Sequence, residues 1–330
     1  MTAVADERRH DGLISVPRHS TAVAGRAHLA CVLEAGAPKP GNVSPGRPFA
    51  DTRYEDFLAS ADAIARPLES AGRRPLGETV LQAIEATAAR TRANTNLGIV
   101  LLLAPLARAA IRLLDAPPQP MRASRLRTLH DEVGRVLAET TVDDARSVYR
   151  AIRLANPGGL GSAEEQDVAG EPTVTLLEAM RLAADRDGIA REYATAYETT
   201  FEKGVPALLE AREEGLAMND AIVETFLALL AAAPDTHIVR RGGDALARRA
   251  SQLAAEALAA GGTRSEAGRV SISAMDASLR DSRNLGNPGT TADLTAATLF
   301  AALLVGGWSI GSIDAVWPAD VAPYQDSEES

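Results

Sequence analysis

Apolar residues along the chain recur at intervals of three and four, the spacing of one face of a helix. The pattern predicts helices over Thr21–Ala35, Tyr54–Leu68, Leu76–Arg90 and Leu97–Leu114. It resumes over Arg125–Ala138, Val142–Ala155, Thr173–Ala184, Ile189–Glu202, Pro206–Glu214 and Met218–Ala232. Gly242–Ala260, Arg264–Arg283 and Thr291–Val305 complete the set. Pro105 falls inside the most apolar segment and is expected to kink it. No alternating strand pattern and no fixed-period repeat occurs. The expected fold is all-α, a single compact multi-helix domain of about a dozen helices. The domain is placed at residues 21–319, between a loose arm at 1–20 and an acidic tail at 320–330.

Composition reinforces this picture. Hydrophobic residues make up 46% of the 330, but aromatics only 4%, so Ala, Leu, Val and Ile must fill the core. Ala and Leu favour packed helices over sheets. The longest apolar runs, Ile99–Ala107 and Leu294–Val305, fall short of the roughly 20 residues of a membrane span and read as core helices. A net charge of −10 without a basic patch argues against nucleic acid as a partner. Cys31 is the single cysteine, so no intramolecular disulfide can form, which agrees with a cytoplasmic location. The polar N-terminus has no apolar segment of the secretory kind.

Candidate chemistry sits in the breaks between helices. Pro38-Lys39-Pro40-Gly41-Asn42-Val43-Ser44 sets a lysine in a stiff loop, either as a phosphate contact or, more simply, as a solvated turn residue. Asn94-Thr95-Asn96-Leu97-Gly98 opens the most apolar helix and reads equally as a cap or as an anion site. Asn156-Pro157-Gly158-Gly159-Leu160-Gly161, with Glu164, Glu165 and Asp167, could hold phosphate and Mg²⁺, though a surface loop is the plainer reading. Asp185, Asp187 and Arg191, and then Asp235 to Gly243 with Arg240 and Arg241, set carboxylates beside arginines at helix ends. Such groups clamp triphosphates or hold Mg²⁺, and they also form ordinary surface ion pairs. Thr290 and Asp293 are spaced as a capping box heading an apolar helix. The adjacent pair Asp143-Asp144 fits a helix N-terminus better than a prenyl-diphosphate or hydrolase metal site.

Taken in order, these segments resemble the triphosphoribosyl-dephospho-CoA synthase family over roughly residues 25–305. Pro38–Gly41 matches a family Pro-Lys-Pro-Gly, and Asp51 precedes Phe57-Leu58-Ala59-Ser60 as a family Asp precedes Phe-Leu-x-Ser. Asn94–Gly98 aligns with Asn-Thr-His-Lys-Gly, Asp235–Gly243 with an Asp-Thr segment running to Arg-Gly-Gly, and Pro288–Leu294 with Pro-Gly-x-x-Ala-Asp-Leu. The resemblance implies a helical transferase in which an acceptor hydroxyl attacks C1′ of ATP, adenine leaves and the triphosphate stays on the sugar. It implies ATP as substrate and Mg²⁺ as its companion. Asp51 and Asp235 are the candidate catalytic residues, as base, oxocarbenium stabiliser or metal ligand. Lys39, Gly41, Asn42, Ser44, Asn94, Thr95, Asn96, Gly98, Gly158, Gly159, Arg240, Arg241 and Asp293 are the candidate nucleotide contacts. Asp185, Asp187 and Asp235 are the candidate Mg²⁺ ligands.

Three positions depart from the family pattern: Asn96 and Leu97 replace its His and Lys, and Ser44 replaces an Asp. These features resemble a divergent branch associated with tetrahydromethanopterin-linked one-carbon metabolism. That likeness implies a pterin-type cofactor precursor as acceptor in place of dephospho-CoA. A second copy of the chain is a further expected partner. The alternative reading is a non-catalytic nucleotide-binding helical protein of one-carbon metabolism.

Overall fold

The computed structural model describes residues 18–91, 93–116 and 124–306. The acidic tail and all but the last three residues of the expected arm lie outside them. The described residues form fourteen α-helices, one π-helical segment and one 3₁₀ turn, with no strand among them. In chain order the helices are α1 Arg18–Gly36, α2 Tyr54–Glu69, α3 Leu76–Ala88, α4 Leu97–Asp115, α5 Arg125–Ala138, α6 Val142–Ala155 and α7 Leu176–Ala183. They continue with α8 Gly188–Ala194, α9 Val205–Glu213, α10 Met218–Ala232, α11 Thr236–Gly242, α12 Asp244–Ala259, α13 Glu266–Leu279 and α14 Gly289–Val305.

Two strongly apolar helices, α4 and α14, pack against each other at the centre. Helix α1 covers both, α2 and α3 flank α4, and α10 with α9 closes the far side of α14. Along α14 nearly every residue from Thr295 to Leu304 is buried, so the helix is apolar on all sides rather than on one stripe. Helix α4 has 19 residues and a mean hydropathy of 2.0, long and apolar enough to cross a membrane by length and composition. That measure exceeds the uninterrupted apolar run read from the sequence. Here 72% of the window is buried inside the protein, where α4 serves as a core helix.

Pro105 does not end α4. Proline lacks the N–H that would reach the carbonyl four residues back, Leu101. The Tyr193 hydroxyl donates to that carbonyl at 2.7 Å, and the Tyr197 hydroxyl donates to Leu102 O at 2.7 Å. Both tyrosines are fully buried. Tyr197 reaches its place through a left-handed pair, Ala196 (φ 53°) and Tyr197 (φ 69°), which breaks the helix expected over Ile189–Glu202. The chain restarts as the π-helical segment Thr199–Gly204, whose Thr199 and Thr200 amides donate to the buried Glu192 carboxylate at 3.0 and 2.9 Å. Tyr193→Phe leaves the Leu101 carbonyl only the longer bond from the Tyr197 hydroxyl, at 3.4 Å. It should cost about 1–3 kcal/mol in urea unfolding, with no change in secondary structure by circular dichroism. A loss of under about 0.5 kcal/mol would show that Tyr197 alone satisfies the proline gap.

Local signals set several helix starts. Ser124 Oγ caps α5 by accepting from Arg127 N at 3.2 Å. Thr141 and Asp144 form a capping box on α6, and the second oxygen of Asp144 accepts from Gly77 N on α3 at 2.8 Å. The Asp143-Asp144 pair is thus a helix start, as the simpler reading had it. Thr290 and Asp293 do not form the expected box, because α14 begins earlier, at Gly289 behind Pro288.

Candidate active-site cleft

A cleft of about 730 Å³ opens among α1, α4, α6, α7, α8, α11 and the start of α14. Of the residues singled out in the sequence, Asn42, Asp51, Asn94, Thr95, Asn96, Gly98, Gly158, Asp187, Arg240, Arg241 and Asp293 line it. Lys39, Gly41, Ser44, Gly159, Asp185 and Asp235 do not. Five segments far apart in the chain therefore meet at one cleft, but not every residue in them faces it.

The Pro-Lys-Pro-Gly loop turns its lysine inward. Lys39 is 1% exposed, and its ammonium donates to Glu34 Oε1 at 2.9 Å and to Ala37 O at 3.2 Å. Two prolines stiffen the backbone but do not fix the direction of the side chain between them, and the acid on α1 captures it. Gly41 has φ +78°, and a Cβ there would come 2.9 Å from Pro288 Cδ, so the loop can lie on the start of α14 only with glycine. Its N–H donates to Asp276 at 2.8 Å, and Asp276 also takes Arg47 and Arg280, which clamps the loop to α13. Ser44 is buried within the loop, its hydroxyl without a partner. Asn42 does reach the cleft: its amide donates to Asn287 at 2.6 Å, while its Oδ1 is buried and unpaired.

The Asn-Thr-Asn segment lies before α4, yet only Asn94 acts as a cap, accepting from Leu97 N at 3.4 Å. Asn96 instead donates to Thr87 at 3.0 Å, and Thr95 pairs with Ser60 on α2 at 2.5 Å. Leu97 lines the cleft, so an apolar wall stands where the family pattern has a lysine. Gly98 has the Asp293 carboxylate against it: a Cβ there would come 2.0 Å from Asp293 Oδ2.

The segment from Asp235 to Gly243, expected as a break, is the short helix α11. Asp235 is 2% exposed and caps two elements at once. Its Oδ1 accepts from Ile238 N at 3.0 Å, and its Oδ2 accepts from Thr291 N at 2.7 Å and Thr291 Oγ1 at 2.8 Å. Asp187 caps α8 through Ile189 N and Ala190 N, at 2.9 and 3.1 Å, and its other oxygen pairs with Arg240 at 2.5 Å. Asp185 is exposed and points elsewhere than the cleft. These three aspartates do not converge, and no group of three His, Cys, Asp or Glu among the described residues could hold a metal ion. The donor set named from the sequence therefore does not fit a resident Mg²⁺.

Arginines and a glycine-rich loop form one wall. Arg186, Arg240 and Arg241 line the cleft, and Arg240 Nε is buried without a partner. Asp167 holds the loop's far end by accepting from Ala163 N and Ala169 N at 2.5 and 2.8 Å, and these bonds hold its carboxyl below the usual range. Tyr149 pins the same loop by donating to Gln166 O at 2.6 Å.

Sequence reasoning passed over Glu34 and His237. Glu34 is buried on the stripe of α1 that carries Ala27 and Ala30, and a carboxylate on an apolar helical stripe was the available signal. His237 lines the cleft with Nδ1 3.0 Å from Asn287 O, and burial pushes its pKa down despite Asp235 beside it.

An all-α frame around a concave site of guanidinium groups, amides and partly buried carboxylates suits a polar, anionic small molecule. The comparisons with known proteins add the family. The chain belongs to the family described as ATP:dephospho-CoA triphosphoribosyl transferase, whose pattern matches residues 20–311. A crystal structure from Archaeoglobus fulgidus, of a candidate triphosphoribosyl-dephospho-CoA synthase, superposes with a TM-score of 0.57 at 30% identity, covering 76% of this chain and 99% of that one. A Vibrio cholerae protein named for 2-(5''-triphosphoribosyl)-3'-dephosphocoenzyme-A synthase is 27% identical over 82% of this chain and 84% of its own length. A Klebsiella pneumoniae synthase of the same name is 36% identical, but over 29% of this chain and 34% of its own. The match to the Stutzerimonas stutzeri relative likewise spans only 38% of that protein.

Proposed function

We propose that this protein transfers the triphosphoribosyl group of ATP to a hydroxyl of dephospho-CoA, releasing adenine. The observation that supports this most is the pairing, in one cleft, of an arginine wall with the Asp293 carboxylate, which accepts no hydrogen bond from a described residue. A volume of about 730 Å³ lies within the range of about 300–1,000 Å³ typical of small-molecule sites. Arg186, Arg240 and Arg241 suit the triphosphate, which is a handle here and not a leaving group. Held by that handle, C1′ of the ribose lies among the carboxylates, where developing oxocarbenium charge is stabilised. In this reading Asp51, an exposed residue of the cleft lining, takes the proton of the incoming hydroxyl. Asp235 acts from behind the wall, fixing α11 to the first turn of α14. Magnesium enters this reading with ATP, held by phosphate oxygens and at most one or two protein carboxylates.

Relatives are named for dephospho-CoA, and nothing in the cleft favours a pterin precursor over it. The test is chromatographic detection of free adenine from protein, MgATP and dephospho-CoA. Adenine and a triphosphoribosyl adduct in equal amounts are expected. Adenine released only with a pterin-containing extract would move the acceptor. ATP bound but never cleaved would leave a nucleotide-binding protein.

A further inference from the structure

Cleavage of the C1′–N9 bond leaves an electron pair on the purine, and adenine departs far more readily once a ring nitrogen is protonated. The transfer reading above therefore calls for an acid in the cleft, and the inference rests on that reading. Most buried or half-buried aspartates around the site are saturated with donors. Asp187 accepts two amides and Arg240, Asp235 accepts two amides and a hydroxyl, and Asp276 accepts an amide and two arginines. Asp293, half-buried and facing the cleft, accepts no hydrogen bond from any described residue.

The groups around it explain its state. Glu34 and Cys31 face it from α1, Asp235 and Arg240 from α11, and Asp187 from the cap of α8. Arg240, the cation that acts on it, is engaged by Asp187, and Lys39 by Glu34. The positive end of α4 approaches through Gly98, but no α4 amide donates to the carboxylate. Burial first, then Glu34 and Asp235, hold the Asp293 carboxyl well above the usual carboxylate range, against the pull of Arg240. Asn42, which also lines the cleft, keeps a buried Oδ1 with no partner among the described residues.

We propose that Asp293 is the general acid that donates its proton to the departing adenine, with Glu34 beside it in the cleft wall. In the balanced step the C1′–N9 bond breaks and its electron pair stays on the purine. The Asp293 proton goes to a ring nitrogen, giving neutral adenine. The acceptor oxygen bonds to C1′, and its hydroxyl proton returns through Asp51 and water to the Asp293 carboxylate. No other reactant is needed. The acid must be protonated to work, so the rate is full below its raised pKa and falls as pH rises through it.

The experiment pairs Asp293→Asn with two leaving groups, adenine from ATP and p-nitrophenolate from the matching p-nitrophenyl riboside triphosphate. Nitrophenolate departs without a proton. Asp293→Asn should lower kcat for adenine release by about 10²–10⁴-fold, leave KM for ATP within about threefold and spare p-nitrophenol release. Equal losses on both substrates, or no loss on either, would overturn the assignment. An infrared difference spectrum of wild type minus Asp293→Asn should also show a protonated carboxyl stretch at neutral pH, and a carboxylate band there would overturn it without any turnover. If wild type releases no adenine with dephospho-CoA but does release nitrophenolate, the dephospho-CoA reading fails, and the infrared band alone decides the acid. A wild type that cleaves neither substrate sinks the transfer reading and this inference with it.

Discussion

Lys39→Met should destabilise the protein by about 3–5 kcal/mol, the range for removing one partner of a buried ion pair. Lys39 is 1% exposed and Glu34 3%, and the ammonium is the cation that Glu34 holds. Without it Glu34 stays charged among Cys31, Asp293 and the apolar face of α1, or must take up a proton. The double variant Lys39→Met with Glu34→Gln has no charge left to bury and should recover most of the loss. Urea unfolding of wild type, both single variants and the double closes this cycle. The loss in Lys39→Met should shrink toward acid pH, where a proton can stand in for the ammonium. A double variant as unstable as Lys39→Met would assign the loss to packing and the Glu34 and Ala37 carbonyls instead. The experiment matters for the cleft because the lysine read as a phosphate contact is here the counter-ion of a carboxylate in the cleft wall.

That reversal shows where sequence reasoning carries and where it stops. Helices α5 and α6 begin and end where the sequence placed them, because Ser124 and Thr141 are local caps ahead of a clean apolar stripe. α11 was missed because it has only seven residues, too few for a periodic stripe, and its cap Asp235 read as chemistry. The break at Ala196–Tyr197 was missed because its partners lie about ninety residues away in sequence, where Pro105 leaves the Leu101 carbonyl for the tyrosines to satisfy. Convergence of the five segments was legible as order along the chain and through the family pattern. Which side chains turn inward was not, since that depends on pairings between helices. Lys39 found Glu34, Asp235 found Thr291, and Asp293 alone among these acids found no donor.

Arg240 is where the arginine wall can be tested most sharply. Its Nη1 is on Asp187, its Nε is buried without a partner, and the side chain lines the cleft. A charge-assisted hydrogen bond to phosphate contributes about 1.5–3 kcal/mol, equivalent to about 10–150-fold in affinity. Arg240→Lys keeps the charge but loses the planar fork, so it should weaken ATP binding by about that factor. Adenosine, which has no phosphates, should bind within about twofold of wild type, and titration calorimetry with both ligands reads the difference. Asp187→Asn is the control for the ion pair itself: it loosens the α8 cap but leaves the arginine free for ligand, so it should not reduce ATP affinity. If Arg240→Lys weakens adenosine as much as ATP, Arg240 shapes the cleft through Asp187 and Gly159 and the triphosphate lies elsewhere. If Asp187→Asn weakens ATP as much as Arg240→Lys does, the pair orients the arginine, and the aspartate read from the sequence as a metal ligand becomes a positioning residue for the phosphate wall.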